Sequence, residues 1–157
     1  MSSDGGPEEG GEREAAAGEA WQALYSLVFE REGQLRFHEA CDATGLAPGG
    51  LKTLLRLSAD HPIPMRDLAD FFRCDPSYVT SLVDGLEAAG LAERRSHPTD
   101  RRVKMVVLSR AGVEALAQAR KILGEPPATF DVLSTAEVLR PRSLLAKLTA
   151  AEPPRHA

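Results

Sequence analysis

No stretch of this 157-residue chain approaches the ~18 consecutive apolar residues that a membrane-spanning helix requires. The chain has two cysteines, Cys41 and Cys74, too few for a disulfide scaffold. It has one tryptophan and little aromatic content, so no aromatic-repeat architecture is in view. It has no excess of positive charge either. The formal net charge is −4, which excludes a generally basic, charge-driven nucleic-acid coat. Also missing are a nucleophile–base pair, a phosphate-cradling glycine loop that follows a strand, and a metal triad. His38, Cys41, His61 and His97 are not at zinc-ligand spacing. The expected class is therefore not an enzyme, with no cofactor and no membrane association. The beginning MSSDGGPEEGGERE is the opposite of a secretory leader's basic-then-apolar pattern, which gives a cytoplasmic expectation.

The negative charge is unevenly spread. The first 32 residues hold eight acids and two bases, and residues 1–13 read as a disordered acidic tail. From Leu91 to Arg110 the balance reverses, with six bases (Arg94, Arg95, Arg101, Arg102, Lys104, Arg110) against two acids (Glu93, Asp100). This one local basic patch lies on the segment that reads as a hairpin. Residues 91–95 and 103–108 pattern as strands, the second rich in β-branched residues, with the turn-rich SHPTDRR between them. Cations gathered on a hairpin suit a phosphate backbone.

Upstream of the hairpin lie two short amphipathic helices. Asp75 can cap the second and Pro76 suits its first position. Val79, Leu82, Val83 and Leu86 form its apolar stripe. Its opposite face carries Ser77, Thr80, Ser81 and Asp84, with Tyr78 on the flank. Small polar side chains there let a backbone approach base edges. Tyr78 has two readings, facing DNA or packing against the wing. Gly90 ends the helix. The preceding helix starts near Pro64 and buries Met65, Leu68, Ala69 and Phe72. Ala69 lies ten residues before Val79, and a small residue there lets two helices cross closely. The turn Arg73-Cys74-Asp75 lacks the glycine often found at its start. The sequence thus predicts a mainly α fold with a small β-hairpin wing, a winged helix-turn-helix over residues 46–112.

Other helices flank this module. Trp21, Leu24, Tyr25, Val28 and Phe29 make one apolar stripe in a helix expected over residues 14–32 and broken by Gly33. A short helix through Phe37 and Cys41 ends near Gly45, and Pro48 opens the next. Ser109 can cap a helix to about Leu123. Ser134 and Glu137 form a capping box for the last helix, which Pro141 interrupts. Residues 113–150 group as C-terminal helices, and residues 151–157 as a tail.

The strings GLAPGGLKTLLRL, PMRDLADFF, DPSYVTSLVDGLEAAGLAERR and HPTDRRVKMVVLS, spanning about Gly45 to Gly112, resemble the multiple-antibiotic-resistance regulator (MarR) family of bacterial winged-helix transcription factors. The resemblance implies a homodimeric regulator, most often a repressor, on a pseudo-palindromic operator in double-stranded DNA. The N-terminal helices (14–45) and C-terminal helices would then dimerise. It implies that Ser77, Tyr78, Thr80 and Ser81 meet DNA, that Arg94, Arg95 and Arg101 hold phosphates, that Asp100 braces the wing loop, and that Arg102 enters the minor groove. It also implies a small aromatic effector, for which Trp21, Tyr25, Phe29, Arg36 and His38 are candidate contacts; the same aromatic stripe also reads as core or dimer interface. Gly85 departs from the family, where a basic residue is common. Two alternatives stand beside this reading: oxidant sensing through Cys41, and a winged-helix protein-interaction module that does not touch DNA.

Overall fold

A computed structural model describes residues 7–30 and 32–151. The chain divides between Gly124 and Glu125 into two units.

The first unit begins with α1 (Pro7–Tyr25) and a π-helical turn, Ser26–Glu30. Next come α2 (Glu32–Thr44), α3 (Pro48–Arg56), the short β1 (Ile63–Pro64), α4 (Met65–Phe72) and α5 (Pro76–Ala88). Strands β2 (Ala92–Ser96) and β3 (Lys104–Leu108) and helix α6 (Arg110–Gly124) complete it. The strands form one antiparallel sheet in the order β1-β3-β2. Register pairs Arg94 with Val106 and Ile63 with Val106 from the other side. The sequence indicated only the two long strands. Pro64 lacks a ladder N–H, so β1 is confined to the edge, and its two residues carry no periodic signal.

The core lies among α2, α3, α4, α5, α6 and the sheet. Leu51, Leu54, Leu57, Leu68, Val79, Val83, Leu86 and Val106 are each at most 1% exposed. Fully burying such a side chain stabilises the fold by about 1.5–3 kcal/mol, so this cluster holds the α4–α5 crossing rigid. Thr53, the buried polar residue in the cluster, is satisfied because its hydroxyl donates to the Gly49 carbonyl at 2.9 Å. Helices α3 and α5 approach so closely at Gly49 that a Cβ there would lie 2.8 Å from Leu82 Cδ2.

Two expectations about the N-terminal region are corrected. Residues 1–13 were expected to be disordered, yet helix α1 already starts at Pro7. Proline needs no N–H at the first helical position, and the alanine-rich stretch that follows favours helix. Residues 1–6 of that expected tail lie outside the described residues. Gly33 does not simply break a helix ending at residue 32. It sits within α2, just after the π turn, and a Cβ on it would fall 1.4 Å from the Val28 carbonyl oxygen. Only glycine permits this corner.

The second unit holds a 3-10 turn, Ala128–Val132, and α7 (Thr135–Ala150). Ser134 accepts from the Glu137 amide while the Glu137 carboxylate accepts from the Ser134 amide, the expected capping box. Pro141 lies inside α7, which continues past it, and α7 has no buried residue. Of the expected tail at residues 151–157, all beyond Ala151 lies outside the described residues. Among the described residues, no helix is long and apolar enough to cross a membrane.

Candidate nucleic-acid interface

The turn between α4 and α5 sets the geometry of the site. Arg73 occupies the left-handed region, φ 48° and ψ 46°, where glycine is usual. A non-glycine residue pays of order 1 kcal/mol there. Two hydrogen bonds hold the turn: the Arg73 amide reaches the Asp70 carbonyl and the Cys74 amide reaches the Ala69 carbonyl, both at 3.2 Å. Asp75 then caps α5, its carboxylate accepting the Ser77 amide at 2.7 Å. Hydrogen bonds from the Ser77 side chain and amide lower the Asp75 pKa.

Helix α5 buries Val79, Val83 and Leu86 and turns Ser77, Tyr78, Thr80, Ser81 and Asp84 outward. The Thr80 hydroxyl donates to the Pro76 carbonyl at 3.0 Å, and the Ser81 hydroxyl to the Ser77 carbonyl at 3.3 Å. Both residues are exposed, and each hydroxyl oxygen can still accept a hydrogen bond. The Tyr78 hydroxyl lies against Gly49 on α3 while half of the residue remains exposed, so its packing partner is α3 rather than the wing.

The wing loop is ordered by its own backbone. The His97 amide donates to the Val103 carbonyl at 2.9 Å and the Val103 amide to the Asp100 carbonyl at 3.0 Å. The Asp100 carboxylate accepts the Arg102 amide at 3.0 Å, which makes it a brace and not a surface for an anion. Arg101 and Arg102 are exposed at the tip, and neither has an ion-pair partner among the described residues. Arg95 is exposed and paired with Glu93 at 3.0 Å. An open cleft of about 410 Å³ separates the start of α4, α5 and the wing; Arg66, Thr80, Arg102 and Lys104 are among its lining residues. Sequence reasoning passed over Arg66, because only the β1–β3 pairing brings the start of α4 beside the wing, and it counted Lys104 in the basic patch but not among the site residues.

Arg94, expected on phosphate, has partners within the chain. Its guanidinium is engaged inside the chain by Asp84, at 2.7 Å, by Glu87, and by the Thr80 carbonyl, at 3.0 Å.

The expected effector contacts lie largely at the surface. Trp21, Tyr25 and Phe29 are 65%, 49% and 55% exposed, with the Tyr25 and Phe29 rings 4.9 Å apart. Arg36 pairs with Glu39, and His38 is exposed, its Nδ1–H donating to the Gln34 carbonyl at 2.7 Å. Cys41 is a core residue, 8% exposed. Burial and the neighbouring Asp42 raise its pKa, which disfavours the thiolate that oxidants attack and argues against the oxidant-sensing alternative.

Comparison with known proteins agrees with this geometry. Residues 46–104 match the MarR family model. The chain is 25% identical over 103 residues to the HTH-type transcriptional regulator BilQ of Clostridium symbiosum, covering 66% of this chain and 72% of that protein. Among solved structures, it resembles the transcriptional regulator Tm0710 of Thermotoga maritima, with TM-score 0.68, 20% identity and coverage of 86% of this chain and 92% of that one. It also resembles apo MarR from E. coli, with TM-score 0.64, 23% identity and coverage of 81% and 94%. A further neighbour is the MepR–DNA complex of S. aureus, with TM-score 0.62, 20% identity and coverage of 82% and 97%. Helix pair and braced wing thus lie where residues 46–104 match the MarR family model, in a fold shared with solved winged-helix regulators.

Proposed function

We propose that the protein binds double-stranded DNA as a homodimer and represses transcription by occupying promoter sequence. The observation that carries this reading is the exposed polar face of α5 together with the exposed Arg101 and Arg102 at the wing tip. Ser77, Tyr78, Thr80 and Ser81 face bases and nearby phosphates in the major groove. Arg95 and Arg101 lie on the backbone, and Arg102 enters a narrow, A·T-rich minor groove where the negative potential is strongest. The DNA-bound MepR neighbour supports this docking mode.

Exposed apolar side chains support the dimer. Trp21 and Phe29 on the first unit, and Leu144 and Leu148 on α7, are all more than half exposed. Burying them against a second copy removes that apolar area from water. Two-fold symmetry then places two α5 helices on half-sites about one helical turn apart. An effector pocket using Trp21, Tyr25, Phe29, Arg36 and His38 would be completed by the second subunit. Such an effector releases DNA only by its differential affinity for the two dimer geometries.

Selection of bound fragments from the source genome by wild-type protein and by Arg102→Ala tests the reading. Enrichment of a pseudo-palindromic site, lost in the variant, is the expected result. A folded dimer that enriches nothing at low salt would instead favour the protein-interaction alternative.

A further inference from the structure

Helix α5 carries two carboxylates, Asp84 and Glu87, and no base; Gly85 stands between them. A helix presented to phosphates with that charge is repelled unless something neutralises it. Arg94, on strand β2, supplies the charge. Its fork reaches three points on α5 at i, i+4 and i+7: the Thr80 carbonyl at 3.0 Å, the Asp84 carboxylate at 2.7 Å, and the Glu87 carboxylate. The Glu87 carboxylate also accepts the Arg94 amide at 2.7 Å. The Arg94 side chain is only 22% exposed, and Glu87 is 32% exposed. The wing and the helix are thereby tied by one planar, multidentate group in a partly desolvated place, where such bonds are stronger than on an open surface.

We propose that Arg94 is a positioning residue, which fixes the angle between the wing and α5 and offsets half of the acid charge of α5 instead of contacting phosphate. The proposal rests on the DNA-binding reading above. It reassigns one of the hairpin's five bases from the DNA to the scaffold.

Lysine separates the two roles. A phosphate contact tolerates Arg→Lys, because a point charge serves it. A three-point clamp does not, because the ammonium lacks the planar fork. The probe is the duplex most enriched by wild-type protein. Arg94→Lys is expected to weaken binding roughly fivefold to a hundredfold, with the slope of log affinity against log salt unchanged. Adding Asp84→Asn to Arg94→Lys is expected to restore part of the loss. Without DNA, Arg94→Lys is expected to speed hydrogen exchange at the amides of β2 and the wing loop while exchange in α3 stays slow, which also verifies folding. Near-wild-type affinity of Arg94→Lys, or Arg94→Ala lowering the salt slope by about one, would overturn the clamp and leave the DNA reading intact. If wild-type protein enriches no duplex, the DNA reading itself fails, whereas the exchange result still decides whether the clamp exists.

Discussion

The Asp100 carboxylate accepts the main-chain N–H of Arg102 at 3.0 Å, so the residue that shapes the wing tip anchors the backbone of the side chain proposed to enter the minor groove. Removing either residue weakens binding by a different route. Arg102→Ala is expected to lose about 1–3 kcal/mol of specific binding and to lower the salt slope by about one. Asp100→Ala deletes no cation, so its loss is expected with the slope unchanged. Equilibrium titrations at several salt concentrations distinguish the two.

Gly85 is exposed mid-helix with nothing within 4 Å of a Cβ placed on it. Gly85→Ala is therefore expected to stabilise the protein by about 1 kcal/mol in denaturant unfolding. Gly85→Lys restores the cation common in the family at this position. It is expected to raise DNA affinity and steepen the salt dependence, because α5 otherwise lacks a base.

Gly33 is the opposite case. A methyl group there meets the Val28 carbonyl oxygen at 1.4 Å, and backbone cannot step aside as a flexible side chain can. Gly33→Ala is expected to cost about 3 kcal/mol or more, seen as a lowered unfolding midpoint. A neutral result would mean that the corner between the π turn and α2 is built differently.

The caps make stability sensitive to acid. The Asp75 and Glu137 carboxyls have pKa values lowered by hydrogen bonds from Ser77 and Ser134 respectively, from ordinary values of 3.8 and 4.5. A depressed folded-state pKa contributes stability that is fully present above the ordinary value and is lost as pH falls through the depressed one. Thermal unfolding followed from pH 7 downward is expected to show these contributions intact at pH 5 and fading below about pH 4. Asp75→Ala should remove its share, seen as a lower unfolding temperature at pH 7 and a smaller further drop on acidification.

The winged segment was legible in the sequence because its signals are local. Asp75, Pro76, Gly90, Ser109 and the Ser134–Glu137 pair each mark a helix end through a bond spanning four residues or fewer. The apolar stripes of α4 and α5 then placed Ala69, Val79 and Val83 in the core. What was not legible depends on distant partners. Strand β1 exists only because Ile63 and Pro64 meet Val106 and Met105 more than forty positions away. Gly33 looked like a helix breaker because its near approach to Val28 has no periodic signature. Arg94 looked like every other wing arginine, since its role is set by Asp84 and Glu87 across the α5–β2 packing. The helix departs at Gly85 from the family it resembles, and the sequence showed the missing cation but not the neighbouring carboxylates' partner.

The most direct test of the DNA-binding account is the salt dependence of wild-type binding to its selected duplex. The account expects log affinity to fall linearly and steeply with log salt, with selectivity over random duplex retained at moderate salt, because phosphate contacts by Arg95, Arg101 and Arg102 release counterions while α5 reads bases. A folded protein whose affinity is flat with salt, or which binds selected and random duplex alike, would contradict it.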